Sequence, residues 1–160
     1  MRKSSNFDFN KHFPYEFQEN NTSTGFLMWK ASYMWQQEQR RTLQKYHNIS
    51  QMDFVILSST YYLMVTKQKI TPTILSNFTK IEPVGVAQLL KSMEQRNLIE
   101  RYSIETDGKS RFVKVSENGL ELLKKATITV KTLDDRFFKV AGSKTEVLKK
   151  FLLDIIKTNE

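Results

Sequence analysis

The chain of 160 residues contains no cysteine. It can hold neither a disulfide framework nor a thiolate metal site, and it has no cysteine redox sensor. Histidine is nearly as scarce: His12 and His47 are the only two, too few and too far apart to suggest a transition-metal sensor. There is no Gly-rich phosphate loop, no Gly-x-Ser-x-Gly elbow and no His-x-x-x-His pair, so a catalytic role has little to stand on. Nowhere do about 18 apolar residues run uninterrupted. The N-terminal Met1-Arg2-Lys3-Ser4-Ser5-Asn6, followed by Phe7-Asp8-Phe9, also lacks the apolar stretch of a signal peptide. The expectation is a cytoplasmic protein with no membrane partner, and with no catalytic residue, metal or cofactor.

What the chain does have is positive charge: 25 Lys+Arg against 17 Asp+Glu, formally +8, with a pI near 9.6. The cations outnumber the anions 7 to 4 in residues 1–50, 9 to 6 in 51–116 and 9 to 7 in 117–160. The excess is thus spread along the chain rather than held in a basic tail. It favours a polyanionic partner, while also fitting an ordinary soluble basic protein. The length suits one well-buried domain with extensions.

Residues 1–22 read as an N-terminal arm whose aromatics, Phe7, Phe9, Phe13, Tyr15 and Phe17, call for packing on the body or on a partner subunit. Residues 23–49 form a helical region, expected to dimerise, with Phe26, Trp29, Tyr33, Leu43 and Tyr46 on one stripe. Ser50-Gln51-Met52-Asp53 has capping-box-like spacing, and Phe54, Leu57, Tyr61 and Met64 then mark a buried helix. Thr71 caps the next helix, with Pro72 at its first position and Ile74, Leu75 and Phe78 facing inward. Pro83 opens another, burying Val86, Leu89, Leu90 and Met93, with Asn97 suited to the left-handed residue that ends it.

Asp107-Gly108 at the middle of Glu105–Arg111 is a hairpin signal between two β-type runs. Ser116 caps a helix with Leu120, Leu123, Val130, Leu133 and Phe137, broken at Ala141-Gly142. Ser143-Lys144-Thr145-Glu146 has capping-box spacing before a stripe of Val147, Leu148, Phe151, Leu152, Ile155 and Ile156. Helix, turn, helix and basic wing is an arrangement that reads double-stranded DNA. The expected fold is mainly α with a small β-wing. A winged helix-turn-helix region at 50–116 is flanked by dimerisation helices at 23–49 and 117–160.

This order resembles the MarR family of bacterial winged-helix regulators over roughly residues 23–158. Asn97-Leu98-Ile99-Glu100-Arg101 sits where that family has Gly-Leu-(Ile/Val)-x-Arg. Asp107-Gly108-Lys109-Ser110 resembles its Asp-x-Arg-Ala wing tip, and Val115-Ser116-Glu117-Asn118-Gly119 its Leu-Thr-x-x-Gly step into the long helix. Two departures stand out. Asn replaces Gly at 97, which the backbone tolerates. Lys109 replaces the wing arginine and lacks its weakly hydrated planar fork, so Arg111 is the natural compensator.

Pro83, Val84, Ala87, Gln88 and Lys91 are left on the outward face of the recognition helix. Gln88 can make a bidentate contact to adenine, Val84 and Ala87 can pack on thymine methyls, and Lys91 can reach a phosphate or guanine. The face has no arginine, so the alternative is a plain solvated helix on a winged module that binds protein rather than specific DNA. Ser76, Asn77 and Lys80 are candidates for DNA-backbone contacts, with Lys109 and Arg111 on the wing. Arg101 either joins them or pairs with Asp107 to brace the wing, as the resemblance implies. The resemblance further implies a sequence-specific transcriptional regulator, a ligand-responsive repressor that acts as a homodimer on a pseudo-palindromic operator. It also implies a cavity for a small aromatic effector, with Trp29, Tyr33, Tyr61 and Tyr62 as candidates; core and dimer packing explains the same aromatics.

Overall fold

The computed structural model describes residues 23–66, 69–103 and 111–159. The N-terminal arm and the wing tip with Asp107, Gly108 and Lys109 lie outside the described residues. The chain divides into two units, 1–37 and 38–160.

Helix α1, Thr24–His47, supplies all the described structure of the first unit. There Phe26, Trp29 and Tyr33 lie one turn apart on one side and stack in series, with ring centroids 5.9 and 5.6 Å apart. The remainder of α1 belongs to the second unit and anchors on Leu43, which is fully buried beside Ile49, Ala126 and Val130. Tyr46, expected on the same stripe, is exposed.

The second unit continues with α2 (Gln51–Thr66), α3 (Pro72–Thr79), α4 (Pro83–Gln95), β1 (Ile99–Ser103), β2 (Arg111–Val115), α5 (Glu117–Phe137), a 3-10 segment (Phe138–Lys144) and α6 (Thr145–Thr158). The two strands pair antiparallel from Ile99↔Val115 to Ser103↔Arg111. The Ile70 carbonyl accepts from Val113 N–H at 2.8 Å and so ties the chain ahead of α3 to the wing.

Four termini follow from local chemistry. Ser50 N–H donates to Asp53 Oδ2 at 2.9 Å while Asp53 N–H donates to Ser50 Oγ at 3.0 Å, a reciprocal capping box. Thr71 Oγ1 accepts from Ile74 N–H ahead of Pro72. Asn97 adopts φ 55° after α4. Ser116 Oγ accepts from Gly119 N–H at 3.0 Å. The fifth expected cap does not form: Ser143 plays no part, and Thr145 Oγ1 instead donates to the carbonyl of Gly142, whose φ of 50° turns the chain there.

The core is built on Ile56, Leu57, Leu63, Leu75, Val86, Leu90 and Met93, closed from the wing by Ile99 and Val113 and from α5 by Leu123. The phase expected for α2 is wrong by part of a turn. Leu57 is buried as expected, but Tyr61 and Met64 are exposed and Ile56, Thr60 and Leu63 face inward instead. Apart from Ser58, Ser59, Thr60 and the terminal Thr66, α2 is apolar or aromatic on every side beyond its first turn, so periodicity alone cannot fix its orientation. Phe78 of α3 is exposed too, its ring stacked on Tyr62 at 5.6 Å. Within the polar run Gln36–Arg41, Gln39 is buried and accepts a 2.6 Å hydrogen bond from Gln51 Nε2. Pairing the two amides avoids the cost of burying either one unsatisfied.

Candidate nucleic-acid interface

Helices α3 and α4 form the helix-turn-helix. Lys80, at φ 59°, ends α3, and Ser76 Oγ donates to the Ile81 carbonyl at 2.7 Å to hold the turn. Ser76 is thus buried with its hydroxyl used internally, whereas Asn77 and Lys80 are exposed. On α4, Val86, Leu90 and Met93 have no solvent exposure, which directs Pro83, Val84, Ala87, Gln88 and Lys91 outward. Val84 is 69% exposed, high for a β-branched apolar residue on a helix that otherwise packs well. The apolar face and the outward face divide as the 3.6-residue period requires.

The start of the wing is braced at several points. Tyr102 and Phe112 face each other across the strands with ring centroids 5.6 Å apart, and Lys69 Nζ lies 5.3 Å from the Phe112 ring. Glu100 and Lys114, directly opposite in register, pair at 2.7 Å. The hydrogen bond from Lys114 to Glu100 raises the lysine above its ordinary pKa, and the neighbouring charge adds to it. Arg101 has its Nε 3.2 Å from Glu94 Oε2 at the end of α4, an ion pair without hydrogen-bond alignment. It is therefore drawn back to the helix, while Asp107, the partner implied by the resemblance, lies outside the described residues. Arg111 and Lys91 are exposed, and neither is in an ion pair among the described residues. Lys109 also lies outside them.

Sequence reasoning missed the polar junction behind this surface. Arg96, the residue after α4, donates from Nη2 and Nη1 to Asp53 at 2.6 and 3.2 Å. Burial alone would raise the Asp53 carboxyl, but hydrogen bonds from Arg96 and Ser50, with the Arg96 charge, hold it below its ordinary value. Asp53 and Arg96 are 43 positions apart, so no local pattern signals them. Next to the pair, Ser116 Oγ donates to the Asn97 carbonyl at 2.6 Å and Ser116 N–H to the Leu98 carbonyl at 3.2 Å. Gly119 fits because it has no side chain: a Cβ there would sit 2.0 Å from the Leu98 carbonyl oxygen.

The aromatic candidates occupy different settings. Trp29 and Tyr33 are exposed members of the stack in the first unit. In the second, Tyr61 lines an open groove of about 590 Å³ with Ser58, Leu120, Leu123, Lys124, Thr127 and Ile128. Tyr62 points elsewhere, onto Phe78. The two neighbouring tyrosines therefore do not line one cavity, because adjacent helical positions diverge by about 100°.

No protein-family profile matches the chain. A curated relative, the uncharacterized HTH-type transcriptional regulator YdcH of Bacillus subtilis (strain 168), is 28% identical over 133 residues, covering 83% of this chain and 90% of the relative. Among solved structures, a mutant MarR from E. coli complexed with operator DNA superposes with a TM-score of 0.72 at 17% identity, covering 92% of this chain and 96% of that one. A Mycobacterium tuberculosis MarR family protein in complex with salicylic acid gives 0.67 at 17% identity, covering 86% and 99%. With its two-stranded wing, its α3–α4 pair and its long following helix, this chain has the winged helix-turn-helix fold of the MarR-family regulators.

Proposed function

We propose that the protein is a sequence-specific regulator of transcription that binds double-stranded DNA as a homodimer, α4 entering the major groove and the wing reaching the neighbouring backbone. The observation that carries this reading is the outward face of α4: Val84, Ala87, Gln88 and Lys91 are exposed together on a helix whose opposite face is fully packed. The operator-bound MarR structure and the regulator relative give the same direction. Gln88 supplies donor and acceptor to a base edge, Val84 and Ala87 suit thymine methyls, and Lys91, Asn77, Lys80, Lys109 and Arg111 suit phosphates. The operator should be A/T-rich where α4 docks.

Dimerisation is supported by α6, in which no residue is buried although Val147, Phe151, Leu152 and Ile156 are apolar. A closed two-fold pair would place the recognition helices about one turn of B-DNA apart, ~34–36 Å, on a pseudo-palindromic site. Repression by obstruction is the simplest use of such a dimer. The Tyr61 groove is the candidate effector site, its volume suiting a small planar compound.

Selection of bound fragments from a random duplex library tests the proposal. Enrichment of a two-fold symmetric motif is the expected result. Failure to enrich any motif would instead favour a winged module that binds protein, the reading to which the arginine-free face of α4 also lends itself.

A further inference from the structure

The recognition helix is held very differently at its two ends. At its start, Glu82 provides no side-chain cap and Pro83, Val84 and Ala87 face solvent. At its finish, Arg96, Asn97 and Leu98 are tied in succession: Arg96 to Asp53 of α2, and the Asn97 and Leu98 carbonyls to Ser116, ahead of α5. Leu98 N–H also donates back to the Met93 carbonyl at 2.9 Å.

We propose that Asp53 and Arg96 are positioning residues that set the angle of the recognition helix and so control the discrimination between operator and other DNA. The inference rests on the DNA-binding reading above. Asp53 is 5% exposed, and its carboxylate has two tasks: Oδ2 accepts from Ser50 N–H, capping α2, while both oxygens take the Arg96 guanidinium. The first turn of α2 and the end of α4 thereby share one anion. A planar guanidinium on a carboxylate fixes orientation as well as distance, which a single point contact cannot do.

Leverage makes the joint consequential. A 13-residue helix is about 20 Å long, so a rotation of about 6° at the Arg96 end carries the first turn through about 2 Å. Such a displacement separates a formed hydrogen bond from a lost one at a base edge. It scarcely affects phosphate attraction, which is long-ranged. Loosening the joint should therefore cost specificity before it costs charge-driven binding.

Asp53→Asn and Arg96→Met test this, alone and combined, on the intact dimer. The asparagine oxygen can still accept from Ser50 N–H and keep α2 capped, but it cannot form the ion pair. Each single variant is expected to weaken binding to the selected operator about threefold to thirtyfold and to change random-duplex affinity far less, by no more than the one charge removed. The double variant should be no worse than the more damaging single one, because both remove the same joint. Amide exchange in the free protein should accelerate at Asn97 and Leu98 in Asp53→Asn.

A tighter grip of Asp53→Asn on operator and random DNA alike would overturn the proposal, showing Arg96 to be a phosphate-binding cation restrained by Asp53. An unchanged operator-to-random ratio would overturn it as well, reducing the pair to a support for stability. Exchange is measured without DNA, so it judges the joint independently: unchanged protection at Leu98 overturns the inference even where the unaltered protein selects an operator. An unaltered protein that selects no DNA refutes the regulator reading instead.

Discussion

Helices α4 and α6 both carry an apolar stripe, and the chain treats them in opposite ways. In α4, Val86, Leu90 and Met93 are removed from water completely; in α6 no residue is buried, and Phe151 and Ile156 remain 57% and 52% exposed. The difference teaches that amphipathicity announces a covered face without saying which chain covers it. α4 is covered from within and so is free to present its opposite side. α6 has more apolar surface than the described residues cover.

The largest effect is expected where that contrast can be broken outright. Replacing Phe151 and Ile156 together by Glu should abolish the dimer, raising its dissociation constant by at least about a hundredfold, as analytical ultracentrifugation would show. The same double change leaves the α2–α5 core untouched, so the denaturation midpoint of the monomer should hardly move. A dimer of unaltered strength would put the interface elsewhere.

Next in size is Gly119→Ala, which presses a methyl group against backbone rather than against a side chain that can move aside. A loss of about 3 kcal/mol in denaturant unfolding is expected, at the upper end for overpacking. Gly25 provides the contrast within α1: its nearest neighbour to an added Cβ is Ser23 Oγ at 3.7 Å, so Gly25→Ala should be neutral or stabilising by up to about 1 kcal/mol. Equal effects at the two positions would dissolve the close approach on which the α4–α5 joint depends.

Acid should loosen the neighbouring Asp53–Arg96 joint more gently. The Asp53 carboxyl is held below its ordinary value of 3.8, so the unfolded chain takes up this proton first as pH falls. The stability the pair contributes is thus fully present above that value and is lost progressively below it. Asp53→Asn should flatten this acid limb and leave the slope near neutral pH unchanged.

The wing gives the smallest of these effects on a per-residue basis. Replacing Lys109 and Arg111 together by Ala should weaken binding to all duplexes alike and flatten the salt dependence by about 0.9 for each phosphate contact removed. Unchanged affinity would show that the wing makes no contact with DNA.

What could be read in advance divides along the same line between local and distant chemistry. Ser50, Thr71, Asn97 and Ser116 each act within three residues or through their own φ, and the sequence displays all of them. The outward residues of α4 were legible for a related reason, since Val86, Leu90 and Met93 recur at helical spacing and fix the phase of the helix. On α2 no such side exists: Phe54 and Leu57 pack inward as expected, but Tyr61 and Met64 gave way to Ile56, Thr60 and Leu63. Ser143 lost its cap to the turn at Gly142. Ser76 looked like a surface hydroxyl because nothing nearby reveals that Ile81 folds back onto it. Gln39–Gln51, Asp53–Arg96 and Arg101–Glu94 needed the tertiary fold to bring their partners together.

Gln88→Ala, measured on the selected operator and on a random duplex at the same salt concentration, tests the central claim most directly. Gln88 is the exposed side chain in the middle of α4 able both to donate to and to accept from a base edge. Its loss should cost about 1–3 kcal/mol on the operator and leave random-duplex affinity unchanged. Equal weakening on both, or no weakening on either, would contradict the account of α4 as the element that reads sequence.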